Sequence, residues 1–335
     1  MTSPDPTHEY QGRIVLVTGG TQGVGRGIAE HFLAAGAQVV VCGRSTPDSL
    51  PEHHGRQAEF VACDVRDVEA AHALVAGIVE RHGRLDVLVN NAGGAPAAEA
   101  ATASPRFHES IVRLNLLAPL NLAQAANAAM QAQPQGGVIL FIGSISALRP
   151  SPGTAAYGAA KAGVLSLVSS LAIEWAPKVR VVAVSPGLVH TDKSHLHYGD
   201  ESGLAAVGAT VPAGRLATPQ DVAEACLFMA SPRAAYVSGT HLLVHGGGER
   251  PAFLKAAQAG PAPATPLPTA TAAAPATTRL PLVVLALAAA GLGLALALGL
   301  TRTTTPPDDA SEVAMLKNLA PTFFVGSWNH LFRAR

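Results

Sequence analysis

An apolar run, Arg13 to Thr18, leads directly into Gly19-Gly20-Thr21-Gln22-Gly23-Val24-Gly25, and helical spacing follows from Gly25 to about Ala35. No other part of the chain constrains the fold as strongly. A continuous run of branched apolar residues suits a strand buried on both faces, as in parallel sheets. Gly19 permits a tight turn, Gly23 lets backbone approach a phosphate, and Gly25 lets the helix pack on the strand. The free amides and positive end of the helix then suit a dinucleotide pyrophosphate. Thr18, Gly19, Gly23, Val24 and Gly25 are the predicted cofactor contacts of this turn.

The alternation continues to about residue 250. Strand-like runs centre near Ile14, Val39, Phe60, Val87, Ile139, Val182 and Leu243, with helical segments between them. This predicts an α/β fold, a Rossmann-type doubly wound parallel sheet of about seven strands with helices on both faces. Aromatic residues make up only 4% of the chain, so the core must come from Val, Leu, Ile and Ala.

Tyr157 and Lys161, in Tyr157-Gly158-Ala159-Ala160-Lys161, are four apart and so share one face of a helix. A free phenol titrates near ~10, too high for efficient proton transfer at neutral pH. An adjacent ammonium is expected to favour the ionised form and make the tyrosine a usable acid/base. Ser144 lies thirteen residues before Tyr157.

Further motifs follow in order. Asn90-Asn91-Ala92-Gly93 follows a strand at Leu85 to Val89, Asn115 falls in the next helix, and Ser144 closes the strand Val138 to Ile142. Pro186-Gly187 and Thr191 come after Tyr157 and Lys161. Together with the Thr-Gly-x-x-x-Gly-x-Gly spacing of residues 18–25, this set resembles the short-chain dehydrogenase/reductase family over roughly residues 10 to 250. The resemblance implies hydride transfer between a nicotinamide and a carbon bearing oxygen. Tyr157 would be the proton donor, Ser144 would hydrogen-bond the substrate oxygen, and Lys161 would also hold the nicotinamide ribose. It also implies that Asn115 holds a water linking Lys161 to solvent, that Asn91, Ala92 and Gly93 brace the sheet beside the cofactor, and that Pro186, Gly187 and Thr191 close the nicotinamide side. Plainer roles stay open, Ser144 as a turn hydroxyl and Asn115 as a helix-kink residue.

Cofactor choice is legible after the second strand, Gln38 to Cys42. An acidic residue there would bind the unphosphorylated ribose; this chain has Arg44-Ser45, which suits a 2′-phosphate. NADP(H) is therefore expected over NAD(H). Asp64-Val65 resembles the family's adenine contact, with the carboxylate accepting the exocyclic amine. No metal is expected, because His53-His54 and His190, His195 and His197 lack ligand spacing. The three histidines lie where the family has its substrate loop.

Lysine plus arginine and aspartate plus glutamate both number 23, which argues against a nucleic-acid partner. Cys42, Cys63 and Cys226 have no paired spacing and are expected to be reduced core residues. The polar first ten residues carry no recognisable secretory signal.

Composition predicts a polar tail at 1–10, a catalytic domain at 11–252, a Pro/Ala/Thr-rich linker at 253–279, a transmembrane helix at 280–300 and a tail at 301–335. Residues 280–300 are 21 in number, uncharged and nine of them leucine. As a helix they would span ~31 Å, enough for a ~30 Å hydrocarbon core. The expectation is a catalytic domain facing the cytoplasm on a C-terminal anchor, assembled as a homotetramer or homodimer by resemblance. The loop Pro186 to Arg215 resembles that of 3-oxoacyl-carrier-protein reductases, which points to a ketone or acyl-thioester carbonyl substrate. His245 departs from the aspartate that many relatives carry in a segment used for subunit packing. Two other readings stay open: a nucleotide-binding redox sensor or scaffold at a membrane, and an NAD-dependent alcohol dehydrogenase.

Overall fold

The computed structural model describes residues 9–258. The seven predicted runs form β1 (Ile14–Thr18), β2 (Gln38–Gly43), β3 (Glu59–Ala62), β4 (Val87–Asn90), β5 (Gly137–Ile142), β6 (Val179–Pro186) and β7 (His241–Val244). They make one seven-stranded sheet in the order β3-β2-β1-β4-β5-β6-β7, and every pairing in it is parallel. Leu16 pairs with Val40 on one side and Leu88 on the other. The winding therefore reverses between β1 and β4, and doubly wound sheets bind ligands at the carboxyl ends of such strands.

The helices are α1 (Gly23–Ala34), α2 (Val68–His82), α3 (Pro105–Val112), α4 (Ala118–Ala132), α5 (Ala155–Glu174), α6 (His195–Tyr198), α7 (Glu201–Gly208), α8 (Pro219–Ala230) and α9 (Ala252–Gln258). Strand alternation divides the core in two. Ile14 and Leu16 pack with Leu74 and Ile78 of α2, Leu122 of α4 and Val164 and Val168 of α5. Val15 and Val17 face the other way, onto Ile28 and Phe32 of α1 and Val222 and Cys226 of α8. Each fully buried Leu, Ile or Phe contributes roughly 1.5–3 kcal/mol of burial.

Four of the described α-helices, α2, α3, α7 and α8, start on a side-chain cap. Asp67 caps α2 through the Ala70 amide, and Thr218 and Asp221 form a reciprocal capping box on α8. By contrast, α1 has no side-chain cap and no acidic residue in its first turn.

Packing begins ahead of the domain start read from the sequence. Tyr10 is fully buried, its ring edge-on to Phe32 at 4.9 Å and its hydroxyl donating to the Leu227 carbonyl at 2.5 Å. At the other end α9 takes in residues 253–258, the start of the expected linker. The rest of that linker, the predicted membrane helix at 280–300 and the tail at 301–335 lie outside the described residues. Among the described residues, α5 is the one helix long and apolar enough to cross a membrane, at 20 residues and mean hydropathy 1.4; Val164, Val168 and Leu171 bury it against the sheet. The three cysteines are free and buried, and burial pushes the Cys42 thiol up to about 12. Pattern alone did not anticipate the short Glu52–His53 and Arg56–Gln57 hairpin, nor α6 and α7 within the Pro186 to Arg215 loop.

Candidate active site

The ends of β1 and β4 are tied together by backbone and side chains of the two turns. The Thr18 hydroxyl accepts from the Asn91 and Ala92 amides, each at 2.9 Å. Asn91 returns its side-chain amide to the Thr18 carbonyl at 2.8 Å and the Gly19 carbonyl at 3.3 Å. The expected brace is thus a reciprocal lock. It leaves no room at Gly25, where a Cβ would stand 2.3 Å from the Gly19 carbonyl oxygen and 2.4 Å from Asn91 Nδ2. Gly19 and Gly23 hold φ of +61° and +52°, a region that favours glycine.

This turn floors a cleft of about 860 Å³. Of the predicted site residues, all line it except Thr18 and Asn115, which stand behind its wall. At the β2 and β3 end lie Arg44, Ser45, Asp64 and Val65; at the other lie Gly93, Ser144, Tyr157, Lys161, Pro186, Gly187 and Thr191. Asp64 lines the cleft and is paired with Arg66. Arg66 Nε donates to both carboxylate oxygens, at 2.9 and 3.1 Å, and Nη2 donates at 2.5 Å. These bonds hold the Asp64 carboxyl down at about 2, with Arg44 adding a smaller pull. Sequence reading also missed Arg26, which donates to Glu30 at 2.8 Å, to the Ser49 carbonyl at 3.1 Å and to the Leu50 carbonyl at 3.1 Å. It thereby fixes the loop that carries Arg44 and Ser45 onto α1. Only the spacing of Arg26 and Glu30 on one helix could have hinted at part of this.

At the closed end, Ser144 follows β5, its hydroxyl accepting from the Ser146 amide at 3.1 Å. Tyr157 and Lys161 come from the first turns of α5. Burial pushes the Tyr157 phenol up from its ordinary value, and a hydrogen bond with Ser144 pulls it partly back. Lys161 Nζ is 5.7 Å from the Tyr157 ring centroid and donates to the Ile142 carbonyl at 2.7 Å. Burial alone lowers the lysine to about 8.

Asn115 is fully buried in a π-helical turn, Arg113–Leu117, between α3 and α4. The Ala118 amide reaches the Arg113 carbonyl, five residues back. Asn115 Oδ1 accepts from the Gly94 amide at 2.8 Å, and Nδ2 donates to the carbonyls of Gly94 at 3.0 Å and Ile111 at 2.9 Å. A Cβ on Gly93 would meet Asn115 Oδ1 at 2.7 Å and Lys161 Nζ at 3.5 Å. The asparagine, the lysine and the Asn-Asn-Ala-Gly turn therefore converge at Gly93. On the far wall, Gly187 is pressed against His245, whose Cβ is 2.8 Å from a Cβ built on the glycine. His190 and His195 do not line the cleft, the side chain of His197 lies outside the described residues, and no cluster able to hold a metal occurs among the described residues.

A family profile described as enoyl-(acyl carrier protein) reductase matches residues 19–249. A 3-oxoacyl-(acyl-carrier-protein) reductase FabG from Vibrio harveyi is 36% identical over 242 residues, covering 71% of this chain and 97% of its own. An L-rhamnose 1-dehydrogenase (NAD(P)(+)) from Azotobacter vinelandii is 38% identical over 245 residues, covering 70% of this chain and 96% of its own. Among solved structures, the aldohexose dehydrogenase of Thermoplasma acidophilum in ligand-free form superposes with a TM-score of 0.67 at 28% identity, covering 78% of this chain and 100% of its own.

Proposed function

This chain belongs to the short-chain dehydrogenase/reductase family, and from that premise we propose that it is an NADP(H)-dependent oxidoreductase interconverting a ketone and a secondary alcohol. The observation that carries the reading is that half-buried Tyr157 lines the glycine-floored cleft together with Ser144 and Lys161. The cleft fits a dinucleotide. Gly25 lets α1 start tight against the Gly19 carbonyl with no room for a Cβ, the α1 N-terminus carries no side-chain cap, and Arg44 and Ser45 line the end where a ribose phosphate would lie.

When bound, the nicotinamide supplies or takes up hydride. Reduction of a carbonyl leaves negative charge on its oxygen, and the Ser144 hydroxyl would hydrogen-bond that charge. Tyr157 delivers the proton that neutralises it. A phenol raised by burial holds its proton until that charge develops. Lys161, fixed by the Ile142 carbonyl, supports the phenol and the ribose side of the cleft, and Asn115 fixes the backbone around Gly93 and Gly94 from behind.

The substrate favoured is a ketone or 3-oxoacyl thioester, supported by similarity to 3-oxoacyl-(acyl-carrier-protein) reductases. A sugar or other secondary alcohol is the second reading, because an L-rhamnose 1-dehydrogenase is as similar in identity and coverage. The deciding experiment presents ketones, 3-oxoacyl thioesters and aldoses with each of the four nicotinamide forms and follows absorbance of the reduced ring. Turnover of aldoses with NAD and not of 3-oxoacyl thioesters with NADPH overturns the first reading. Binding without turnover of any member would favour a sensor or scaffold. Homo-oligomeric assembly and membrane attachment through residues 280–300 complete the proposal.

A further inference from the structure

We propose that Lys193 is a further cofactor-binding residue, pairing with the diphosphate bridge of the dinucleotide; this rests on the dinucleotide reading above. The loop after β6 crosses the glycine turn, with Thr191 Cγ2 3.6 Å from where a side chain on Gly23 would begin. Ser194 fixes that crossing. Its hydroxyl, on a residue 3% exposed, accepts from the Thr191 amide at 2.7 Å and donates to the Val189 carbonyl at 3.2 Å. Between these two anchors, Lys193 lines the same cleft as Thr21, Gln22 and Gly23.

The other cations of the cleft are mostly committed. Arg26 is held by Glu30, Ser49 and Leu50, Arg66 by Asp64, and Lys161 by Ile142. Among the described residues no ion pair engages Lys193 or Arg44. Arg44 sits at the β2 end. Lys193 is therefore the cation available where the glycine turn offers a diphosphate amides but no formal charge. Asp192 lines the cleft too and opposes the same ligand, so removing its charge should act in the opposite direction.

The test titrates full-length protein with NADPH and with NADH at low and high salt, reading fluorescence of the reduced ring. Lys193→Met should raise Kd for both roughly tenfold at low salt, with the gap closing as salt rises; Lys193→Arg should restore binding, and Asp192→Asn should tighten it. Inorganic pyrophosphate should compete less well against the Lys193→Met protein than against wild type. A loss confined to NADPH would move Lys193 to the 2′-phosphate and overturn the proposal. Unchanged Kd values with a raised substrate KM would assign it to the substrate instead. Wild-type protein that binds neither nucleotide would overturn the dinucleotide reading itself, and this proposal with it.

Discussion

Lys161 donates from Nζ to the carbonyl oxygen of Ile142 at 2.7 Å, which ties the first turns of α5 to the last residue of β5. The bond satisfies one of three donors on an ammonium that is 4% exposed. Burial dominates, so the folded state holds this lysine near about 8 instead of 10.5.

The unfolded chain therefore binds more protons at this site between those two values, and stability rises with pH across that window. Below about 8 the burial cost is fully present, up to about 3 kcal/mol. Lys161→Met removes it. Urea unfolding of both proteins at pH 7 and pH 10 should show the variant's relative advantage shrinking at the higher pH; a pH-independent difference would contradict the assignment.

Tyr157→Phe should lower kcat by at least ~10²-fold while leaving NADPH affinity nearly unchanged, because it removes the proton donor and keeps the ring. Stopped-flow turnover beside a binding titration separates the two effects. A phenylalanine variant turning over at near wild-type rate would rule out the proposed mechanism.

Arg44→Ala should weaken NADPH by ~1.5–3 kcal/mol, the scale of a hydrogen bond to a charged group, and leave NADH almost unaffected. Equal losses for both nucleotides would remove Arg44 from the 2′-phosphate.

Two glycine-to-alanine changes should differ in sign. At Gly25 the new methyl meets the Gly19 carbonyl and Asn91 at 2.3 and 2.4 Å, groups locked by the turn, so a loss of ~1–3 kcal/mol and weaker cofactor binding are expected. Gly77, inside α2, meets only the end of the flexible Arg81 side chain at 3.2 Å. Alanine there should stabilise by ~0.5–1 kcal/mol. Thermal melts of the two variants check both directions.

Full-length protein should resist alkaline extraction from membranes, and a chain ending near Gly260 should be soluble and active. Nine leucines at about −0.5 kcal/mol each favour insertion of residues 280–300. Full-length protein wholly in the soluble fraction would reject the anchor.

The sheet and the glycine turn were legible because their signals are local: apolar runs of strand length, and glycines at positions needing positive φ or close approach. Ser144, Tyr157 and Lys161 were picked out by their resemblance to the family's motif, and the fold brings all three to one cleft. Contacts between distant segments were not legible. Helical spacing placed Lys161 beside Tyr157 but could not show that a carbonyl nineteen residues upstream takes the ammonium. Likewise it could not show that Arg66 pairs with Asp64, and the linkage from Arg26 to Ser49 joins a helix to a loop 23 residues away. Tyr10 follows a polar stretch with no periodicity, so only its packing on Phe32 marks it as core.

The wide turn at Arg113–Leu117 has a consequence for the two helices it joins. Each residue of an α-helix advances the side chain by about 100°, so accommodating one residue more than a regular turn shifts the phase of α4 relative to α3. Asn115 faces Gly94 while Leu122 and Ala126 still face the sheet, two requirements that an uninterrupted helix would have to reconcile by twisting. The turn decouples them, so the register of the core and the aim of the buried amide are set independently within one continuous rod.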